Sequence, residues 1–143
     1  MLIREAILND VQPIQALSQQ LGYDYPIEKT NQKLRQILIN PEHKIFVALK
    51  SNQVIGYIHV EIYRVLYADD LLNILGIVVD TTFRNQGVGT ALINAAEELS
   101  KKMKCGGLRA NSGAEREDAH LFYKKNKFNS EKNQKRFIKH IKV

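Results

Sequence analysis

The sequence has only one cysteine, Cys105, so it cannot form an internal disulfide, which fits a reducing compartment. It has no apolar run of about 18 residues and no basic-then-apolar N-terminus, which argues against a membrane span and a secretory signal. Repeats, low-complexity tracts and Gly/Ser-rich linkers are also missing. For a chain of 143 residues, these absences predict one cytoplasmic domain over residues 1–143, with no membrane partner.

Excess positive charge is absent from most of the chain and concentrated at its end. Residues 124–143 contain eight Lys or Arg residues and one acid, whereas residues 1–123 are close to neutral. Such a segment could attract a phosphorylated cofactor or nucleic acid, or it could be a solvated basic strand at a sheet edge. We favour the edge strand and predict no nucleic-acid partner, because the segment lacks interleaved stacking aromatics beyond Phe137.

Hydrophobic periodicity predicts a mixture of strands and helices. Strands are predicted at residues 2–6, 45–49, 54–63, 71–79 and 108–111, with one or two final strands from Phe128 and residues 137–143. Helices are predicted from Asp10, as the N-cap, to Gly22, and at residues 27–40, 88–103 and 115–126. Residues 64–70 are expected to form a connector. The pattern predicts an α/β domain.

Residues 71–92 carry the most informative pattern. An apolar run ends at Asp80, a polar turn contains Arg84, and Gly87 and Gly89 precede an apolar pattern at helical spacing. A strand that enters a helix through such a turn leaves the first N–H groups of the helix unpaired, and these groups form an anion site suited to a phosphate. A dinucleotide fingerprint does not fit because Leu92 occupies its third small position, and the Gly-Lys-Ser/Thr of a Walker-type loop is absent.

The segment Arg84-x-x-Gly87-x-Gly89 resembles motif A of the GCN5-related N-acetyltransferases (GNAT), which reads Arg/Gln-x-x-Gly-x-Gly/Ala. The later segment Ala119-x-x-Phe122-Tyr123, with Phe128 after it, is similar to a conserved helix of that family. The order of predicted elements matches the family over nearly the whole chain. The resemblance implies the GNAT fold, which is a single mixed, mostly antiparallel central sheet with helices on both faces.

The resemblance also implies a function. The chain would be an N-acetyltransferase that uses acetyl-CoA as cosubstrate and moves the acetyl group to a primary amine of a small molecule or to an exposed protein amine by direct attack. The coenzyme would lie where the fourth and fifth strands splay apart, and Arg84 would add a positive charge near its phosphates. The strand end would pair with the pantetheine amides, and the turn amides would hold the pyrophosphate. The strand residues are Ile77, Val78 and Val79, and the turn residues are Asn85, Gln86, Gly87, Val88, Gly89 and Thr90.

The catalytic assignments rest on the same resemblance. Val78 N–H is the implied donor to the developing oxyanion, and Tyr123 is the implied general acid for the leaving thiolate. Many relatives carry a basic Glu on the central strand, where this chain has only Asn73. We assign the base to Glu61 and leave alternatives open. These are His59, which shares a strand face with Glu61, then Asp69, Asp70, His120 and a water molecule.

Two positions depart from the family pattern. Arg116 stands where many relatives have a cofactor-contacting Asn, and Lys127 stands where they favour Gly. If that site needs a positive φ, Lys127 is strained, or else the turn differs from that of the family. The acceptor pocket is expected at residues 23–28 and 64–70, where acids would favour a cationic amine. Its expected lining is Tyr23, Tyr25, Tyr63 and Tyr67, with Asp24, Asp69 and Asp70.

Neither His59 nor His120 has the spacing of a metal ligand, so no metal is predicted. A homodimer is expected by analogy only. The alternative function is a non-catalytic module that binds or senses acyl-CoA, because a fold and a cofactor site do not guarantee turnover.

Overall fold

The computed structural model describes residues 1–142, which contain five strands and four α-helices. They follow the order β1 (Leu2–Glu5), α1 (Val11–Gln20), α2 (Ile27–Leu38), β2 (His43–Lys50), β3 (Gln53–Val65), β4 (Ala68–Val79), α3 (Val88–Lys102), β5 (Leu108–Ala110) and α4 (Glu117–Lys125). Short 3₁₀ helices at Leu8–Asp10 and Thr81–Phe83 precede α1 and α3. None of these helices is both long enough and apolar enough to cross a membrane.

The chain forms two compact units. The first is Met1–Asn111, and the second begins at Ser112. The first contains one sheet in the order β1-β2-β3-β4-β5. The first four strands are antiparallel to their neighbours, and β5 runs parallel to β4. A parallel neighbour requires a crossover, which α3 provides between β4 and β5. The predicted mixed, mostly antiparallel sheet is therefore confirmed, whereas the single domain over residues 1–143 stays a prediction.

Helices cover both faces of the sheet in the first unit. Ile14 of α1 and Leu34 of α2 share one buried cluster with Ile45 and Val47 of β2. On the other face, a Cβ placed at Gly56 of β3 would touch the side chains of Val88 and Leu92 of α3. Alternating side chains of β2 and β3 therefore point to α1 and α2 or to α3. This two-sided burial explains the largely apolar sequence of the central strands.

The sequence predicted that the Asp10 side chain caps α1, and this prediction is wrong. Its side chain makes no capping hydrogen bond to that helix. The carboxylate instead accepts hydrogen bonds from the Ile7 N–H at 2.9 Å and from both terminal nitrogens of Arg4 at 2.8 and 3.0 Å. Burial would raise the pKa of Asp10, but these hydrogen bonds outweigh it and hold the pKa below its ordinary value. Asp10 therefore ties β1 to the start of the first helical segment.

In the second unit, α4 ends in a Schellman motif. The Phe128 N–H donates to Tyr123 C=O and the Lys127 N–H donates to Lys124 C=O, each at 3.0 Å, while the Phe128 ring packs on the Tyr123 ring. Lys127 has a φ of +68°. The sequence left open whether this site needs a positive φ. The structure has one, and a lysine occupies a site that favours glycine.

Lys127→Gly is expected to stabilise this helix end by about 1 kcal/mol, because glycine removes the steric cost of the left-handed conformation. Hydrogen exchange at the Phe128 amide should slow by about fivefold. Lys125→Gly is the matched control, since Lys125 lies within α4, where glycine lowers helix stability by about 1 kcal/mol. Faster exchange in Lys127→Gly would contradict the prediction.

Two predictions about connections and strands are wrong. The connector predicted at residues 64–70 is reduced to Leu66 and Tyr67, because β3 extends to Val65 and β4 begins at Ala68. Residues 128–142 form no strand, and Val143 lies outside the described residues. This segment leaves the side chains of Phe137, Ile138 and Ile141 exposed. Its apolar residues predicted strands, but a segment with high β-propensity becomes a strand only where it pairs with the edge of another strand.

Candidate functional site

The candidate site begins where β4 and β5 separate. β5 pairs with β4 only from Leu72 to Ile74, although β4 continues to Val79. The register with β3 skips Leu75, which forms a β-bulge between the residues paired with His59 and Val60. Beyond the bulge, no strand within residues 1–142 pairs with the far edge of β4. The last residues of β4 thus present an open backbone edge, at the place where the sequence predicted a splay.

The hydrogen bonds between β3 and β4 determine which backbone groups of β4 face this edge. The Asp80 N–H donates to Ile55 C=O at 2.8 Å, so Asp80 faces β3. Because backbone groups alternate along a strand, Val78 also faces β3, where it is paired with Tyr57. The Val78 carbonyl oxygen would lie 2.9 Å from a Cβ at Gly56 of β3, which agrees with this orientation. The Val78 N–H is therefore directed into the hydrogen bonds between β3 and β4. It is not free to donate to a ligand, so it does not fit the role of oxyanion donor that the sequence predicted.

The residues on either side of Val78 have the opposite orientation. Ile77 and Val79 direct their backbone groups to the open edge, and the Val79 carbonyl accepts a hydrogen bond from Arg84 Nε at 3.3 Å. The edge available to an extended ligand is thus formed by the polar groups of Ile77 and Val79, two of the three strand residues that the sequence predicted.

The turn after β4 has the conformation of an anion site. Asp80 accepts a hydrogen bond from the Thr82 N–H at 2.9 Å and so ends the strand. Asn85 and Gly87 both have positive φ, and Gly87 is the N-cap of α3. Within residues 1–142, none of the N–H groups from Asn85 to Thr90 donates a backbone hydrogen bond, and the first bond of the helix is Ala91 N–H to Gly87 C=O. These free donors at a helix N-terminus fit a phosphate group.

Two cations lie beside this turn. Arg84 is exposed, and its guanidinium is held at the end of β4 by the bond to Val79. Lys50, at the end of β2, places its ammonium 5.5 Å from the centre of the Phe83 ring. The first turn of α3 contains no acidic residue. Both the helix dipole and these side chains therefore favour negative charge at the turn.

Close packing at Gly56 holds the strand end against the helix. A Cβ at Gly56 would lie 2.9 Å from the Val78 carbonyl oxygen and 3.4 Å from side-chain atoms of both Val88 and Leu92. The first contact is with backbone, which cannot rotate away. Any larger residue at this position must therefore shift the end of β4, or the start of α3, relative to β3.

Gly56→Ala is expected to lower the free energy of unfolding by about 1–3 kcal/mol, as overpacking of a core does. It should also weaken acetyl-CoA binding, because it displaces the strand end from the turn. Gly76→Ala is the matched stability control, since a Cβ there meets only Tyr57 Cε1, at 4.0 Å. Urea denaturation and calorimetry with acetyl-CoA test the pair, and equal stability in the two variants would contradict the prediction.

A row of polar side chains crosses the face of the sheet that packs on α1 and α2. His43, Glu61, Asn73 and Arg109 are directly opposite one another on β2, β3, β4 and β5. Arg109 donates to Asn73 Oδ1 at 2.9 Å, and Asn73 Nδ2 donates to Glu61 Oε2 at 3.1 Å. The Arg109 guanidinium also covers the Tyr63 ring at 4.0 Å. This polar row fixes one oxygen of the partly buried Glu61.

His59 joins the polar row through His43. His59 Nε2 and His43 Nδ1 are 2.9 Å apart, and His43 Nε2 is 3.9 Å from Glu61 Oε1. Burial, and secondarily the neighbouring His43, lowers the pKa of His59 to about 4, so this imidazole is neutral at neutral pH. The predicted shared face of His59 and Glu61 is confirmed. Neither His43 nor Arg109 was identified from the sequence.

The other candidate bases have different surroundings. Asp70 is paired with Arg64, whose Nη2 lies 2.9 Å from Asp70 Oδ2. Asp69 is exposed at the start of β4. In the second unit, His120 Nε2 lies 2.9 Å from the Gly113 carbonyl oxygen, an acceptor to which this nitrogen donates. Within the first unit, the polar row therefore brings together Glu61 and His59, but not Asp69 or Asp70.

Tyr123 lies on α4 in the second unit. Its ring packs edge-on against Phe122 and Phe128, with centroid distances of 5.5 and 5.1 Å. Burial raises the pKa of the phenol, with the nearby Arg116 acting in the opposite direction. The hydroxyl makes no hydrogen bond within residues 1–142. A protonated phenol without a protein partner can donate a proton.

The predicted acceptor pocket at the tyrosines is not assembled as expected. Tyr67 is 85% exposed at the tip of the β3–β4 hairpin, and Tyr63 lies beneath Arg109. Tyr23 is largely exposed, and Tyr25 has Lys29 near its ring. These contacts leave Tyr63 as the one predicted tyrosine that belongs to the polar row.

Comparisons with known proteins agree with this geometry. A model of the acetyltransferase (GNAT) family matches residues 9–128. No curated protein matches the chain by sequence. Among solved structures, aminoglycoside antibiotic 6'-N-acetyltransferase AAC(6')-IG from Acinetobacter haemolyticus has 21% identity and a TM-score of 0.85, with 99% of this chain and 100% of that chain covered.

Two further structures have the same fold. AAC(6')-Iy, in complex with the bisubstrate analogue CoA-S-monomethyl-acetylneamine, has 20% identity and a TM-score of 0.86, with 97% of each chain covered. A GNAT family acetyltransferase from Staphylococcus aureus has 24% identity and a TM-score of 0.79, with 98% of each chain covered. At these identities the likeness concerns the fold.

Proposed function

Because the chain belongs to the acetyltransferase (GNAT) family, we propose that it transfers the acetyl group of acetyl-CoA to a primary amine of a small molecule. The observation that carries this proposal is the continuous backbone surface from the open edge of β4 to the free amides of α3. An extended ligand with amides at one end and a diphosphate at the other matches such a surface in both shape and hydrogen bonding.

The residues that would hold the coenzyme follow from this surface. Ile77 and Val79 would pair with the pantetheine amides, and the amides from Asn85 to Thr90 would bind the pyrophosphate beside Arg84. Backbone donors are fixed by the fold, so binding would not require side chains to be ordered. Free amides, a left-handed Gly87 and flanking cations all suit a diphosphate.

Acetyl-CoA would supply a thioester that a neutral amine can attack. The chain must then stabilise the oxyanion, accept the amine proton and donate a proton to the thiolate. We assign the oxyanion donor to the Ile77 N–H, in place of Val78, because Ile77 faces the open edge of β4. One such donor is typically worth roughly 3–4 kcal/mol. Glu61 is the proposed proton acceptor and Tyr123 the proposed proton donor.

A small-molecule acceptor is favoured over a protein amine by the named activity of the fold relatives. AAC(6')-IG is an aminoglycoside 6'-N-acetyltransferase. An aminoglycoside acetyltransferase from an uncultured soil metagenomic sample, with a TM-score of 0.84, was solved in complex with sisomicin. Aminoglycosides carry several primary amines on a rigid scaffold. We therefore place this class first among the acceptors to be tested.

The test combines binding with turnover. Calorimetry with acetyl-CoA should detect saturable binding, and free-thiol release should follow when an aminoglycoside, polyamine, aminophosphonate or peptide is added. Binding without thiol release for any of these amines would instead support a module that senses acyl-CoA. If the chain does not bind acetyl-CoA, the proposal is wrong. Light scattering on the same samples tests the expected homodimer.

A further inference from the structure

The polar row offers a path for the proton that acetyl transfer releases. We propose that His59 takes this proton from the acceptor amine and that His43 passes the equivalent proton on to Glu61. The inference rests on the proposed function, because it concerns the same transfer site. It gives His43 a role in catalysis, although neither the sequence motifs nor the proposed function identified this residue.

The position of His59 on β3, the strand next to β4, puts it closer to the open edge than His43 on β2. His59 pairs directly with Gly76, and Gly76 precedes Ile77, the assigned oxyanion donor. Because a Cβ at Gly76 would meet only Tyr57, at 4.0 Å, the surface above this glycine has room for a small polar group. An amine that approaches an acetyl carbon held at Ile77 from this face would pass beside His59.

Glu61 sets the direction of the hydrogen bond between the two histidines. A carboxylate 3.9 Å from His43 Nε2 favours a proton on that nitrogen. In the neutral ring, His43 Nδ1 is then an acceptor, so His59 Nε2 must donate to it across 2.9 Å. The remaining nitrogen, His59 Nδ1, carries a lone pair and has no hydrogen-bond partner within residues 1–142. It is the nitrogen that can receive a proton.

The transfer balances without a stable charge on His59. As a proton arrives at His59 Nδ1, the Nε2 proton moves to His43 Nδ1, and the His43 Nε2 proton moves to Glu61 Oε1. Both rings end neutral with their protons on the opposite nitrogens, and Glu61 becomes a neutral acid that solvent can deprotonate. This concerted route suits His59, whose lowered pKa makes it a poor final acceptor but does not prevent relay.

The last step needs a small movement of Glu61. The distance of 3.9 Å from His43 Nε2 to Glu61 Oε1 exceeds a hydrogen bond by about 1 Å. The other oxygen, Oε2, is held by Asn73, whose amide orientation is fixed by Arg109. Rotation of the carboxylate about this anchored side can bring Oε1 to His43, and catalytic hydrogen bonds commonly shorten when substrate binds.

His43→Asn tests the relay with little change in shape. The Asn side-chain oxygen can accept the His59 Nε2 proton as His43 Nδ1 does, but an amide cannot pass a proton onward. We expect kcat to fall at least about tenfold, with KM for acetyl-CoA unchanged. His140→Asn is the matched control, because His140 is exposed in the C-terminal segment and should keep full activity.

Two measurements separate relay from a structural role. In wild type, kcat should show a curved dependence on the deuterium fraction of the solvent, since several protons move together, and in His43→Asn the dependence should become linear. Nitrogen NMR at neutral pH should find both histidines protonated at Nε2. An unchanged kcat in His43→Asn, an unchanged curvature, or a proton on His59 Nδ1 would each overturn the relay. A wild type that neither binds acetyl-CoA nor releases thiol would instead overturn the proposed function.

Discussion

Glu61→Gln is expected to reduce kcat by about 100-fold, while KM for acetyl-CoA stays within about twofold of wild type. Glutamine has nearly the same shape, and its carbonyl oxygen can still accept the hydrogen bond from Asn73. Its amide group, however, would face His43 Nε2 with a second donor. The variant therefore keeps the packing of the polar row and removes its proton acceptor. Steady-state thiol release at saturating acetyl-CoA measures the effect.

Glu42→Gln is the matched control for this variant. Glu42 pairs with Arg64 at 3.2 Å, and both side chains are more than half exposed. An exposed pair of this kind contributes little to stability, so the control should retain wild-type turnover and nearly wild-type stability. If Glu61→Gln also retains wild-type turnover, Glu61 is not the proton acceptor. A rise in KM with unchanged kcat would instead assign Glu61 to substrate binding.

The turn after β4 could be predicted because its sequence signals are local. The apolar strand, Arg84 and the two glycines lie within one short stretch of sequence, and the left-handed conformation of Gly87 follows from that stretch alone. At Lys127 the resemblance raised the question of a positive φ, because relatives favour glycine there, but it left a different turn open as well. Local conformation depends on few residues, so a motif that specifies those residues also specifies the conformation.

The orientation of the Val78 N–H could not be predicted in the same way. The bulge at Leu75 shifts the alternation of β4 by one residue, and this shift decides whether Val78 or Ile77 faces the open edge. A slip of one residue reverses the orientation of every group that follows it. Gly76, beside the bulge, is the one signal in residues 71–79, and by itself it does not say which residue is left unpaired, because the bulge arises from pairing between two strands.

The polar row was also inaccessible from the sequence, for a related reason. His43, Asn73 and Arg109 belong to three different strands and meet only through the register of the whole sheet. The alternation of β3 correctly placed His59 and Glu61 on one face, because that relation lies within a single strand. The sequence signal that remained unused was a set of single polar residues in strands that are otherwise largely apolar.

Tyr123→Phe is expected to reduce kcat at least about tenfold without unfolding the chain. The substitution removes only the hydroxyl and keeps the ring packed against Phe122 and Phe128. The hydroxyl makes no hydrogen bond within the described residues, so its loss leaves no protein group unsatisfied. Stability should therefore change by less than about 0.5 kcal/mol, and a loss of turnover would report on chemistry alone.

The leaving group distinguishes a general acid from a tyrosine that only packs. Acyl donors whose thiols have lower pKa values release a more stable thiolate, which needs less proton donation. With such donors, the difference in kcat between wild type and Tyr123→Phe should therefore become smaller. Tyr67→Phe is the control, since Tyr67 is exposed at the hairpin tip and should retain full activity. Unchanged turnover in Tyr123→Phe would remove the proposed role, and a loss that is equal for all donors would assign Tyr123 to positioning instead.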